Sequence, residues 1–317
     1  MRTAFPYFGS KRRVAADIWQ RFGDPRYYYE PFAGSLATLL ERPAPTTSKA
    51  RYEYASDTDC MITNFFRAAR FGDPLELAHM ADWPESQLDL EARYEWLAKQ
   101  RQRLHRQLLA DPRWFDLECA AWFAWVNSVK IGTYSRSLIL RRNSGVCRKN
   151  QDLSAYFTEL AHRLKGLSIH YGEWVKLANA AEKESRRSDV AILLDPPYKY
   201  STGREKNLYV TDSGDVADDV QTWAVARAKT HPRLKIALCG FIGEHKMPPS
   251  WEEFAWSSKL GKGRERIWFS PSCQRPAEPK TEAVQSRDTI QPLPVVIRSE
   301  DDGVPLGCRP VSVLARC

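Results

Sequence analysis

Five consecutive apolar residues, Val190 to Leu194, run straight into Asp195-Pro196-Pro197-Tyr198, and this junction constrains the chain more than any other segment. The run is short, uninterrupted and partly β-branched, so it predicts a buried strand. Two prolines then end that strand, because neither can donate to a sheet ladder and each fixes its own φ. The strand's carboxyl end therefore carries an acid, a rigid carbonyl and an aromatic ring, all aimed beyond the sheet. In open α/β sheets that edge is where ligands bind.

Further strands are expected at residues 27–29, 51–56, 167–171, 234–239 and 266–270, with helices over 35–40, 60–70 and 216–229 between most of them. Such alternation predicts an α/β fold with a mostly parallel sheet and helices on both faces. Between Arg70 and Lys165 only helical periodicity remains, at 88–109, 114–129 and 153–164, which predicts an inserted helical module. Trp122, Phe123 and Trp125 are expected in that module's core. After Ser270 the chain holds seven prolines in its last 47 residues, with no periodicity. That composition predicts a loosely ordered tail. The expected division is a core of 1–69 and 166–270, an insertion of 70–165 and a tail of 271–317.

An acid, a carbonyl and an aromatic ring at one strand end suit a planar ring that carries an exocyclic amine. Asp195 and the Pro196 carbonyl would accept the two amine hydrogens while Tyr198 stacks on the ring, a contact worth about 1–3 kcal/mol. Net charge supports a polyanionic partner. The tail holds six basic and six acidic residues, so the whole excess of +8 lies in residues 1–270. No acid occurs between Glu118 and Asp152, whereas Lys130, Arg136, Arg141, Arg142, Arg148 and Lys149 fall inside that interval. This stretch is expected to lie on phosphates, with Asn143 and Ser144 able to reach base edges.

Other classes are excluded more simply. No run of about 18 apolar residues exists to span a membrane, and the first residues lack the apolar stretch of a signal peptide. An intracellular, cytoplasmic protein is expected. The seven cysteines are scattered, odd in number and never in a Cys-x-x-Cys pair, so neither a disulfide framework nor a metal site is expected.

Upstream, Glu30-Pro31-Phe32-Ala33-Gly34-Ser35 follows the first strand and opens a helix, a place where glycine lets backbone approach a ligand. The second strand ends at Asp57, positioned to hold ribose hydroxyls. The third ends at Tyr171-Gly172-Glu173-Trp174, whose polar and aromatic groups could flank an adenine ring.

In order, these motifs resemble the DNA adenine-N6 methyltransferases of the Dam-like class, phage and actinobacterial members in particular. The resemblance covers roughly residues 5–270. It runs from Phe5-Pro6-Tyr7-Phe8-Gly9-Ser10-Lys11 through Glu30-Pro31-Phe32-x-Gly34 and Asp57 to Asp195-Pro196-Pro197-Tyr198. Three further segments look like the phage-type subgroup: Ala81-Asp82-Trp83-Pro84, Asp212-Ser213-Gly214-Asp215-Val216, and Arg264 to Ser270. The resemblance implies a Rossmann-like, doubly wound methyltransferase sheet with an inserted helical target-recognition module. It implies S-adenosylmethionine as cofactor and double-stranded DNA as partner, with a monomer or weak dimer expected. Tyr7 and Lys11 would contact the cofactor's methionine part, and Glu30, Phe32, Gly34 and Glu173 would line its pocket. Asp57 would hold the ribose, and Asp195 would face both cofactor and target amine. Pro196, Pro197 and Tyr198 complete the catalytic set.

Two positions depart from the family's pattern. Ser10 replaces the second glycine of the opening motif, and Leu36 replaces the second glycine after the first strand, which predicts a narrower pocket. The expected reaction is direct methyl transfer to a flipped-out adenine. Cytosine-N4 or ribosomal RNA guanine-N2 methylation, and an inactive relative that only binds DNA, are the alternatives.

Overall fold

The computed structural model describes residues 1–7, 9–131, 138–140, 145–147, 152–198, 216–256 and 264–275. Residues 1–276 form one compact unit. Its frame is a mixed sheet of seven strands: β1 (Tyr27–Glu30), β2 (Tyr52–Asp57), β5 (Leu167–Tyr171), β6 (Val190–Leu194), β7 (Leu234–Phe241), β8 (Glu252–Trp256) and β9 (Glu265–Phe269). The spatial order is β5-β2-β1-β6-β7-β9-β8. The first five run parallel, and β9 and β8 close the sheet as an antiparallel pair. Strand order reverses between β1 and β6, which creates a crevice at their carboxyl ends.

Strand β6 owes its position to composition, since all five residues are buried. Alternate residues serve opposite faces, as the pleat requires. Tyr28, Ala191, Leu193, Ala237 and Cys239 join one core cluster. Tyr29, Val190, Ile192, Leu194, Ile236 and Leu238 join the other. The second face is covered by α8 (Trp174–Ser185) and α9 (Val216–Thr230) through Leu177, Ala178, Ala181, Val220 and Ala224.

The first face carries α1 (Ala15–Phe22) and α3 (Cys60–Phe71) and, beyond them, the long excursion between β2 and β5. That excursion contains α4 (Pro74–Ala81), α5 (Gln87–Ala110), α6 (Leu117–Val129), a two-stranded pairing of β3 (Lys130–Ile131) with β4 (Ile139–Leu140), and α7 (Leu153–Leu164). Its helices start at side-chain caps: Asp73, Ser86, Asp116 and Asp152 each accept a backbone N–H of the first turn. Phe123 and Trp125 are buried, and Trp122 packs half-buried beside them. Arg93 lies between the rings of Trp83 and Trp122, 4.2 and 4.4 Å from their centroids. The insertion shares one continuous hydrophobic cluster with α1, α3 and the sheet.

Three elements of the sheet layers go beyond the sequence expectation: α1, α8 and the edge strand β8. Chain beyond Ser270 continues the fold briefly, since Cys273 is buried and the Gln274 amide donates to the Arg21 carbonyl at 2.8 Å. Among the described residues no helix is long and apolar enough to cross a membrane. No group of three or more His, Cys, Asp or Glu side chains among them is arranged to hold a metal ion.

Candidate active site

The motifs at Glu30–Gly34, Asp57, Tyr171–Trp174 and Asp195–Tyr198 sit at the carboxyl ends of β1, β2, β5 and β6, and the opening segment packs across them from before α1. The turn after β1 is built around Gly34, at φ +47°. A Cβ there would lie 2.8 Å from Cδ1 of Tyr7, so the glycine is required both by its backbone angle and by the ring across it. The opening segment and the first strand end are thereby packed together. The Gly34 amide donates to Asp57 Oδ2 at 2.9 Å, and the Asp59 amide donates to Asp57 Oδ1 at 2.9 Å. The amide of Gly172, just past β5, donates to the Asp57 carbonyl at 3.1 Å. Asp57 therefore ties three strand ends together. Burial pushes its carboxyl up to about 7, against the lowering effect of the amides it accepts.

Leu36 takes the left-handed backbone that a glycine would favour, with φ 54° and ψ 30°. Left-handed backbone costs an L-residue about 1–2 kcal/mol. Complete burial of the side chain offsets this, at about 1.5–3 kcal/mol. The crevice beside it, lined by Ala33, Leu36, Asp57, Ile62, Phe66 and His170, is too narrow to admit water. A larger cavity of about 610 Å³ lies at the opposite, amino edge of the sheet, lined by Arg12, Trp19, Asp24, Glu41 and Arg51 and by none of the predicted site residues.

Beyond β6, Asp195 is partly exposed, its side chain at 22%, and it meets Lys11 from the far end of the chain. Lys11 Nζ donates to Asp195 Oδ2 at 2.6 Å and to the Gly9 carbonyl at 2.7 Å. Burial of Lys11 acts to lower its pKa, but the charge of Asp195 and of Glu265 nearby more than reverses this, and the ammonium is held firmly charged. The Tyr198 hydroxyl donates to Asp195 Oδ1 at 3.2 Å. Its ring is buried edge-on against Phe241, with centroids 4.6 Å apart. Stacking on a base therefore requires this ring to turn outward. Pro196 is buried and Pro197 half-buried.

Glu30 is buried and accepts from the Tyr28 hydroxyl at 3.0 Å. Burial first, and the nearby charge of Asp195 next among the raising effects, push its carboxyl up to about 8. It belongs to the wall of the site rather than to its opening. Phe32 and Trp174 stack with centroids 6.3 Å apart and 23° between planes, so the first and third strand ends share an aromatic face. Glu173 is exposed just before α8.

The basic interval is described at one of its predicted contacts. Lys130 is half-buried, its ammonium 5.3 Å from the Tyr94 ring centroid. Burial, with help from Arg101, pulls its pKa down to about 8, so it is not presented as a free phosphate contact. Arg136, Arg141, Arg142, Arg148 and Lys149, like Asn143 and Ser144, lie outside the described residues. So does the Asp212 to Asp215 part of one family-like segment.

Two residues of the site escaped the sequence reading. Phe241 backs Tyr198, and Trp256 places its ring 5.8 Å from Lys11 Nζ. Phe241 ends β7 two residues beyond the expected strand, and Trp256 ends β8. Burial alternates along Glu252-Glu253-Phe254-Ala255-Trp256, but the residue types do not, so no sequence pattern marks the latter.

The donor set fits a nucleoside carrying an amino-acid tail. It offers a buried cation for a carboxylate, an acid whose two oxygens retain lone pairs for hydroxyls, and an aromatic pair for a ring. Comparison with protein-family models and with curated proteins yields no match, so the functional reading rests on this geometry and on the motif order.

Proposed function

We propose that the protein is a site-specific DNA methyltransferase acting on the exocyclic N6 amine of an adenine turned out of its duplex. The observation that carries this reading is the convergence of motifs far apart in the chain. Lys11 lies on Asp195, Tyr7 on Gly34, and the Gly34 amide on Asp57, all at the reversal of a parallel sheet. The sheet supports it too: five parallel strands closed by an antiparallel pair are what a Rossmann-like methyltransferase core would present.

S-adenosylmethionine, the cofactor this donor set suits, would supply an electrophilic methyl group. Lys11 would receive its carboxylate, Asp57 its ribose hydroxyls, and Phe32 with Trp174 would border its base. Asp195 and the Pro196 carbonyl accept the two hydrogens of the target amine, which turns the nitrogen lone pair toward the electrophile. Transfer would form a C–N bond and break the sulfonium C–S bond, whose electron pair would stay on sulfur as a neutral thioether, and Asp195 is the base placed to take the proton that the amine would release. Tyr198, once turned outward, offsets part of the few kcal/mol needed to extract the base.

Incubation with labelled S-adenosylmethionine and unmethylated DNA, followed by nucleoside analysis, tests this directly. N6-methyladenine is the expected product. Methylated cytosine would overturn the base assignment, and cofactor binding without any transfer would leave an inactive DNA-binding relative. Asp195→Ala is expected to abolish transfer while leaving salt-sensitive DNA binding largely intact; substantial turnover in that variant would refute the assignment of Asp195.

A further inference from the structure

Lys11 is engaged more tightly than a residue that merely lines a pocket needs to be. It is 3% exposed, with Asp195 Oδ2 at 2.6 Å and the Gly9 carbonyl at 2.7 Å. Its ammonium also lies 5.4 Å from the Tyr198 ring centroid and 5.8 Å from that of Trp256. An ammonium has three hydrogens, and the third has no partner among the described residues. The groups whose charge acts on it are Asp195, Cys239 and Glu265, in that order. Glu30 stands close enough to Asp195 to feel its charge.

Asp195, in turn, accepts one hydrogen bond on each carboxylate oxygen, from Lys11 and from the Tyr198 hydroxyl at 3.2 Å; an outward turn of Tyr198 would release the second, while Lys11 stays on Oδ2. A bond of 2.6 Å from a charged donor is a strong one. A neutral amine hydrogen competes poorly against it. A carboxylate does not, because it offers the ammonium an equal charge, and the third hydrogen of Lys11 gives it a first point of contact.

Resting on the proposed cofactor, we infer that Lys11 is a positioning residue that occupies Asp195 until a ligand carboxylate draws the ammonium away and frees an oxygen for the amine. Cofactor and target base are then coupled, each improving the site for the other, as thermodynamic linkage requires. No bond is made or broken in this exchange, so it can be read with unreactive ligands.

The test compares S-adenosylhomocysteine, which carries the carboxylate, with 5′-methylthioadenosine, which lacks it, by calorimetric titration of the full chain. Wild-type protein should prefer S-adenosylhomocysteine, and Lys11→Met should erase that preference while Lys11→Arg keeps part of it. Asp195→Asn removes the competing charge and should tighten S-adenosylhomocysteine at least about 5-fold, the lower end of typical coupling. Its affinity for 5′-methylthioadenosine should not change. Equal wild-type affinity for both nucleosides, or an Asp195→Asn variant that binds S-adenosylhomocysteine no tighter, overturns the inference and leaves the cofactor reading standing. Failure of both nucleosides to bind wild-type protein defeats the cofactor reading and the inference with it. Should Lys11→Met fail to fold, the Asp195→Asn titrations decide alone.

Discussion

Replacing Leu36 by alanine and, separately, by glycine probes how the turn after β1 is held. Leu36 is fully buried and carries φ 54° and ψ 30°. Truncating a buried leucine to alanine costs about 3–5 kcal/mol. The alanine variant also retains the left-handed penalty of about 1–2 kcal/mol, because its Cβ remains. Glycine escapes that penalty but gives up about 0.5–1 kcal/mol through its freer unfolded chain. The balance places the glycine variant above the alanine variant by about 0.5–1 kcal/mol, with both well below wild type. Within an ordinary helix the ranking is the reverse, alanine leading glycine by about 1 kcal/mol. Urea denaturation midpoints of the three proteins, compared at a common slope, resolve the order. An alanine variant as stable as the glycine variant, or more so, would refute the claim that this position stores backbone strain.

Other expectations follow from the same elements. The carboxyl of Glu30 is raised from 4.5 to about 8 in the fold, so the folded state keeps a proton that the unfolded chain has already lost between those values. Stability therefore falls as pH rises through that window. Glu30→Gln should remove the fall and be the more stable protein by about 3 kcal/mol at pH 7, from 1.36 kcal/mol per pH unit over about 2.5 units; a gap equal at pH 5 and pH 7 rules this out. Gly34→Ala puts a Cβ 2.8 Å from the Tyr7 ring at a positive φ, and should lose at least about 1–2 kcal/mol together with nucleoside binding. An unchanged melting temperature would show that the turn relaxes freely. Replacing Arg141 and Arg142 together by alanine should reduce the salt slope of DNA binding by about two; an unaltered slope removes these residues from the phosphate contacts.

Strands announced themselves in the sequence where they are buried on both sides. Val190 to Leu194 is apolar without interruption, and Leu234 to Cys239 is apolar apart from Lys235, because helices cover both faces. Strand β8 is an edge that pairs only with β9, and its Glu252 and Glu253 bind Arg21, Arg266 and the Trp268 indole rather than filling a core. Those two glutamates leave only three consecutive apolar residues, too short a run to mark a strand. Helix α8 hides for a related reason, since it buries only Leu177, Ala178, Ala181 and Ser185 in twelve residues. Motif order located the site's acids and its lysine, because chemistry restricts which residue types can stand at a strand end. It could not reveal that Lys11 and Tyr198 both turn onto Asp195, nor that Tyr7 lies across Gly34. Those contacts depend on rotamers set by Phe241, Trp256 and the packing of the opening segment, which no local pattern encodes.

The unbroken apolar cluster joining the helices of residues 70–165 to α1, α3 and the sheet has an engineering consequence. A chimera that swaps this block as a cassette would strip Leu167, Ile169 and the inner side of α3 of their cover, so the graft must supply matching side-chain volumes. Exchanging only the interval after Val129, where α6 ends, keeps those helices but must still retain Val146 and Cys147, which are buried in the same cluster. Any exchange within residues 70–165, whole module or loop, is therefore bound by the side-chain volumes of one shared core.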